Sequence, residues 1–167
     1  MYTKGIVDED FVNYKVPSMF INTSFCSFKC DKECGTQVCQ NSDLVRSPSV
    51  DIDDSKIIRR FKLNSITKAI VIGGLEPFDS PADLWHFIHE LNAQYIEDDL
   101  VIYTGYNERE VASLVAYTYG LCCMDRDLII KFGRYLPNTK QVFDKILGVN
   151  LASSNQYAKL YPKQINV

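Results

Sequence analysis

The sequence predicts an α/β protein with a mainly parallel sheet. Strand-like runs recur at 18–24, 67–74, 98–105 and 127–133, and the run at 67–74 is continuously apolar and β-branched, as in strands buried on both faces. Segments with helical spacing and helix-start residues alternate with these strands, the pattern of a parallel α/β sheet. A chain of 167 residues supports one well-buried core and is short for two, so 1–167 reads as a single domain.

Taken in order, SMFINTS (18–24) is a short buried strand, followed at once by a cysteine-rich loop that Pro48 ends. DIDDSKIIRRFKL (51–63) places acids first and apolar residues at Ile52, Ile57, Ile58 and Phe61, which suits a helix with favourable charges at its N-terminal end. TKAIVIGG (67–74) is the second strand and LEPFDSP a turn-rich loop. Ser80 is expected to cap a helix with Pro81 at its first position, running to about residue 94. DDLVIYTG (98–105) is the third strand, and Asn107 caps a helix over 108–120. DLIIKFG (127–133) is the fourth strand, KQVFDKIL (140–147) a short helix and GVNLAS (148–153) the last strand. The tail from about residue 156 carries no assignment. No internal repeat, low-complexity segment or linker stands out.

The composition, 46% apolar and 23% charged, is that of an ordinary globular protein. A net charge of −3 argues against general nucleic-acid binding, which needs a cationic surface that releases counterions. The first fifteen residues are too charged for a secretory leader, and no apolar run is long enough to span a bilayer. A cytoplasmic location is expected, with no membrane partner. In a reducing compartment, clustered cysteines suggest metal or redox chemistry before disulfides.

In parallel α/β folds, ligands gather where strands end and loops begin. The cysteine loop, GGLEP, YTGY and FGRY each follow a strand, so they converge on one candidate site. Four of the six cysteines, Cys26, Cys30, Cys34 and Cys39, lie in the first of these loops. Soft thiolates so placed suit an iron–sulfur cluster. A four-thiolate zinc site is a second reading, although zinc favours two separated cysteine pairs. Ordinary thiols are a third. Gly-Gly-Leu-Glu-Pro after a buried strand exposes backbone groups and one carboxylate near the same place.

These residues resemble the radical S-adenosylmethionine superfamily, and more closely the activating proteins of anaerobic ribonucleotide reductase. Cys26 and Cys30 resemble the first half of that family's three-cysteine motif. Val38, Cys39, Gln40 and Asn41 resemble its end, an apolar residue followed by Cys-His-Asn. Gly74, Leu75, Glu76 and Pro77 are similar to its Gly-Gly-Glu-Pro, and Tyr103 to Tyr106 to its aromatic-Thr-Gly-Tyr. Phe132 to Tyr135 resemble its Asp-Gly-Arg-Phe, and Ala152 to Tyr157 its Gly-Ser-Ser-Asn-Gln-Arg. The matches occur in family order over about residues 18–157. Three departures accompany them: eight residues separate Cys30 from Cys39, Leu75 replaces a glycine, and Phe132 stands where the relatives have Asp.

The resemblance implies a small partial (β/α) barrel holding a 4Fe-4S cluster on three cysteines, with S-adenosylmethionine on the fourth iron. Cys26, Cys30 and Cys39 are the implied ligands, Cys39 because Gln-Asn follows it, and Cys34 is the alternative third ligand. Val38, Gly73, Gly74, Glu76, Pro77, Thr104, Ser153 and Asn155 are the implied cofactor-binding residues. Reduction by an external electron donor would yield a 5′-deoxyadenosyl radical. The implied partner is a glycyl-radical reductase. A different small radical enzyme, and a metal-binding module of the same fold without chemistry, are the alternatives.

Four further features carry plainer expectations. Lys131 lies in an apolar strand and is expected at a surface edge, although it could reach a cofactor carboxylate. His86 and His89 mark a solvated helix flank. Cys122 and Cys123 are expected in core packing. Leu84, Trp85 and Phe87 face either the core or a partner.

Overall fold

The computed structural model describes residues 1–164. Among them the strands are β1 (Tyr2–Asp10), β2 (Ser18–Thr23), β3 (Val50–Asp51), β4 (Ala69–Gly73), β5 (Asp99–Tyr103), β6 (Leu128–Phe132), β7 (Val142–Asp144), β8 (Val149–Leu151) and β9 (Tyr157–Tyr161). The helices are α1 (Lys29–Cys34), α2 (Ser42–Arg46), α3 (Asp54–Leu63), α4 (Pro81–Ala93) and α5 (Ala112–Cys122).

The protein is mixed α/β with a mainly parallel central sheet. Seven strands run in the order β3-β1-β2-β4-β5-β6-β9. β2, β4, β5 and β6 are parallel neighbours. β1 and β3 extend the sheet antiparallel on one side, and β9 pairs antiparallel with β6 on the other. β7 and β8 form a separate hairpin.

Strand side chains alternate between faces, and the parallel register stacks like with like. Ile70, Ile72, Leu100, Ile102, Leu128 and Ile130 join one apolar cluster with Ile57, Ile58 and Phe61 of α3 and Leu84, Phe87, Ile88 and Leu91 of α4. Val71, Val101 and Ile129 point the other way, into a smaller cluster with Tyr14, Leu147 and Leu151. That second face is covered by the β1–β2 connection and the β7–β8 hairpin. Among the described residues no helix is long and apolar enough to cross a membrane.

Several expectations need correction. The charged N-terminal segment is the nine-residue strand β1, and the tail supplies β9; residues 165–167 lie outside the described residues. The helix expected over 140–147 is absent. Asp144 Oδ1 accepts from the backbone N–H of Ile146 and Leu147, each at 2.9 Å, and Gly148 at φ 72° returns the chain as a hairpin. This turn chemistry overrides the helical spacing of Val142, Phe143, Ile146 and Leu147. The strand expected over 148–153 shortens to β8 and pairs with β7 outside the main sheet. Ser80 precedes α4 without a side-chain capping bond. Asn107 does form a capping box with Glu110, but it opens a 3₁₀ turn over Glu108–Glu110, and α5 begins two residues later.

Candidate cluster-binding site

Because β2, β4, β5 and β6 are parallel, their C-terminal ends share one edge of the sheet. The loops beyond them line a cavity of about 520 Å³, within the range of small-molecule sites. Cys26, Cys30 and Cys39 line it together with Gly74, Glu76 and Thr104. Cys34 sits at the end of α1 and does not line the cavity.

The cysteine loop is fixed to the neighbouring strand end at several points. Glu76 N–H donates to Phe25 O (3.0 Å), and Ser27 N–H donates to Asp79 Oδ2 (2.6 Å). Asp31 Oδ1 accepts from the N–H groups of Val38 and Cys39, each at 2.8 Å. Asn41 Nδ2 donates to Gly74 O. Gly74 has φ 76°, and a Cβ there would collide with Asn22 Oδ1. The close approach of backbone to side chain at this turn therefore requires glycine.

Glu76 joins two of the loops. Its carboxylate accepts from Thr104 Oγ1 (2.8 Å), Gly105 N–H (2.8 Å) and Phe78 N–H (3.1 Å). Burial pushes its pKa up to about 7 against these three donors. Lys131 is not at a surface edge. It is 7% exposed, its Nζ donates to Gly133 O (2.9 Å), and among the described residues it is the one cation lining the cavity. Burial lowers its pKa to about 8, opposed by the negative charge of Glu76 and then by Cys30.

The remaining expected residues stand around the cavity rather than on it. Val38 is half-buried beside the Asp31 bond, and Gly73 and Pro77 are buried at the end of β4. Ser153 is fully buried, with Oγ accepting from Leu136 N–H (3.3 Å), and Asn155 Nδ2 donates to Arg134 O (2.8 Å). Both therefore hold the loop that carries Arg134. Asn22, Tyr135 and Gln156 line the cavity without having been anticipated. Gln156 lies in the matched Ser-Ser-Asn-Gln stretch. Asn22 offers no signal beyond a polar residue at a strand end.

Elsewhere, His86 Nδ1 lies 2.7 Å from Asp54 Oδ2, and both histidines are exposed on α4. Cys122 and Cys123 are buried. Leu84 and Phe87 are core residues, and Trp85 packs at its margin with Nε1 donating to Thr118 Oγ1 (3.0 Å).

The donor set fits a cluster. All six cysteines are free. Burial pushes Cys26 up to about 12 and is also the main cause of the rise at Cys30, where the nearby Cys39 thiol adds to it. Thiols so placed become ligands when a metal supplies the compensating positive charge. Arg134 stands beside Cys26 and Cys30, and its Nε is buried with no partner among the described residues. Such a donor suits the sulfur acceptors of a bound cluster. Among the described residues no three Cys, His, Asp or Glu converge closely enough to ligate one ion. A cubane takes each thiolate on a different iron and does not need that convergence.

The chain belongs to the 4Fe-4S single cluster domain family, which matches residues 17–144. The matched segment runs from just before β2 to the end of β7 and includes the cysteine loop. Comparison with curated proteins and with solved structures finds no match.

Proposed function

We propose that this protein is a radical S-adenosylmethionine activase that installs a glycyl radical on a reductase of the anaerobic ribonucleotide reductase kind. The supporting observation is the convergence of Cys26, Cys30 and Cys39 on one cavity with Gly74, Glu76 and Thr104, while Cys34 stays outside it. Three thiolates leave one iron of a 4Fe-4S cluster open. The reduced cluster would supply the electron that cleaves a sulfur–carbon bond of S-adenosylmethionine, drawing it from an external donor.

The chain's own residues bind and orient. Gly74 turns the backbone close to the ligand, and Leu75 closes the cavity beside it. Glu76, braced by Thr104 and Gly105, keeps negative charge near the ligand's ammonium group. Lys131 offers its charge to a carboxylate. The four parallel strands with their helices are read as part of a barrel, and residues 1–167 as one domain. In this reading the protein works in the cytoplasm, with neither nucleic acid nor membrane as partner.

Phe132 favours a second reading. It stands where the resembling family has an acid, yet its ring is fully buried and packs 5.5 Å from that of Tyr157. A radical enzyme with another substrate would account for that change. Finding a large glycyl-radical reductase encoded beside this protein would decide for the activase.

The test is anaerobic reconstitution with iron and sulfide, then dithionite reduction with S-adenosylmethionine, assayed for 5′-deoxyadenosine. The expected result is product from the wild type and Cys34→Ala and none from Cys39→Ala. Product lost only in Cys34→Ala reverses the choice of third ligand. A stable cluster that never gives product would identify a metal-binding module without this chemistry. Adding the reductase should then produce a glycyl radical signal in electron paramagnetic resonance.

A further inference from the structure

Eight residues separate Cys30 from Cys39, yet both line the same cavity. The intervening chain is folded. α1 runs from Lys29 to Cys34 and ends at Gly35, which has φ 66°. Gly35, Thr36 and Gln37 are exposed. The chain then returns, and Asp31 Oδ1 accepts from two successive amides, Val38 N–H and Cys39 N–H, at 2.8 Å each. The side chain next to one cavity thiol thus holds the backbone that carries another. Beyond Cys39, the carbonyl of Cys39 accepts from Ser42 Oγ (2.7 Å), and Asn41 reaches Gly74 O.

We propose that Asp31 is the positioning residue of the third cluster ligand. It closes the loop at its base, keeps Cys39 on the cavity and leaves Cys34 outside. This rests on Cys39 being that ligand. Backbone N–H groups need partners, and here one carboxylate oxygen serves two of them, so its removal frees the segment bearing Cys39. Groups that orient metal ligands from behind typically affect metal retention by about 10–100-fold when removed.

The experiment measures iron and sulfide retained per chain after a fixed chelator challenge of anaerobically reconstituted protein. The electron paramagnetic resonance spectrum of the dithionite-reduced cluster is recorded alongside, and far-UV circular dichroism reports folding. Asp31→Ala is expected to reduce retention about 10-fold. The residual cluster should then depend on Cys34, so that Asp31→Ala with Cys34→Ala loses it. Asp31→Asn keeps an oxygen acceptor and should retain the wild-type level and spectrum. Wild-type retention and spectrum in Asp31→Ala, with Cys39→Ala losing the cluster, overturns the role of Asp31 alone. Loss in Asp31→Asn equal to that in Asp31→Ala overturns it too. Full retention in Cys39→Ala overturns the ligand assignment and this inference together.

Discussion

Glu76 binds the second and third loops of the site to each other through the Thr104 hydroxyl and the Gly105 amide, while the Phe78 amide of its own loop supplies a third donor. The glycine two positions earlier is as constrained. Gly74→Ala forces a Cβ into Asn22 at a left-handed backbone conformation. It should cost about 1–3 kcal/mol, read as a lowered denaturant midpoint. Beyond β6, Arg134 makes two 2.7 Å bonds to Glu110, and these hold the Glu110 carboxyl at about 2, below its ordinary 4.5. A lowered carboxyl contributes stability above its unfolded value and loses it as pH falls toward the folded one. Glu110→Gln should therefore lose about 1 kcal/mol at neutral pH and flatten the stability profile between pH 4.5 and about 2, measured by denaturant titration across that range. At this scale much of the site was legible. Cysteines, paired glycines and a lone carboxylate after strands announce themselves by type. Asn22 does not, because an amide at a strand end looks the same whether it meets solvent or a cavity, and Gln156 stands out only through the motif that contains it.

The elements divide by the kind of signal that forms them. β4, β5 and β6 were readable within two residues at each end, because a strand buried on both faces must be apolar throughout. α4 was equally clear, and its inward residues are core. Phe87→Ala should cost about 3–5 kcal/mol in equilibrium unfolding, since the ring is fully buried against α3 and the sheet. β1 was missed because an antiparallel strand near the sheet margin keeps charged residues such as Lys4, Asp8 and Glu9, which mask its pattern. The β7 half of the β7–β8 hairpin was misread as a helix because Asp144 and Gly148 decide the chain's path over a spacing that suits both structures. Helix α1 was not anticipated, since no apolar face announces it. Its formation coincides with the Asp31 bonds to Val38 and Cys39.

At the scale of the molecule, the cysteine loop is bonded to the residues following β4, and its charged side chains reach the wall after β6 through the Glu33–Arg134 pair. A cluster bound only by the folded chain raises stability by mass action. Each kcal/mol should raise Tm by about 2–4 °C in a chain of this size. Thermal melts of reconstituted and chelator-stripped protein measure the difference, and an unchanged Tm would show that the folded chain does not bind the cluster in preference to the unfolded one.

The sheet's unequal covering has a consequence for access. Three helices pack one face, whereas Tyr14, Leu147 and Leu151 close the other with few apolar partners. Val149, Asn150, Leu151 and Ala152, which wall the cavity, belong to that thinner side or border it. Local opening costs least where the least apolar surface is exposed. Amides of β7 and β8 should accordingly exchange with deuterium through sub-global opening well before those of β4 and β5. Such opening would let a bulky molecule reach the thiols while the helical face stays shut, so that the protein's door and its foundation would lie on opposite sides of one sheet.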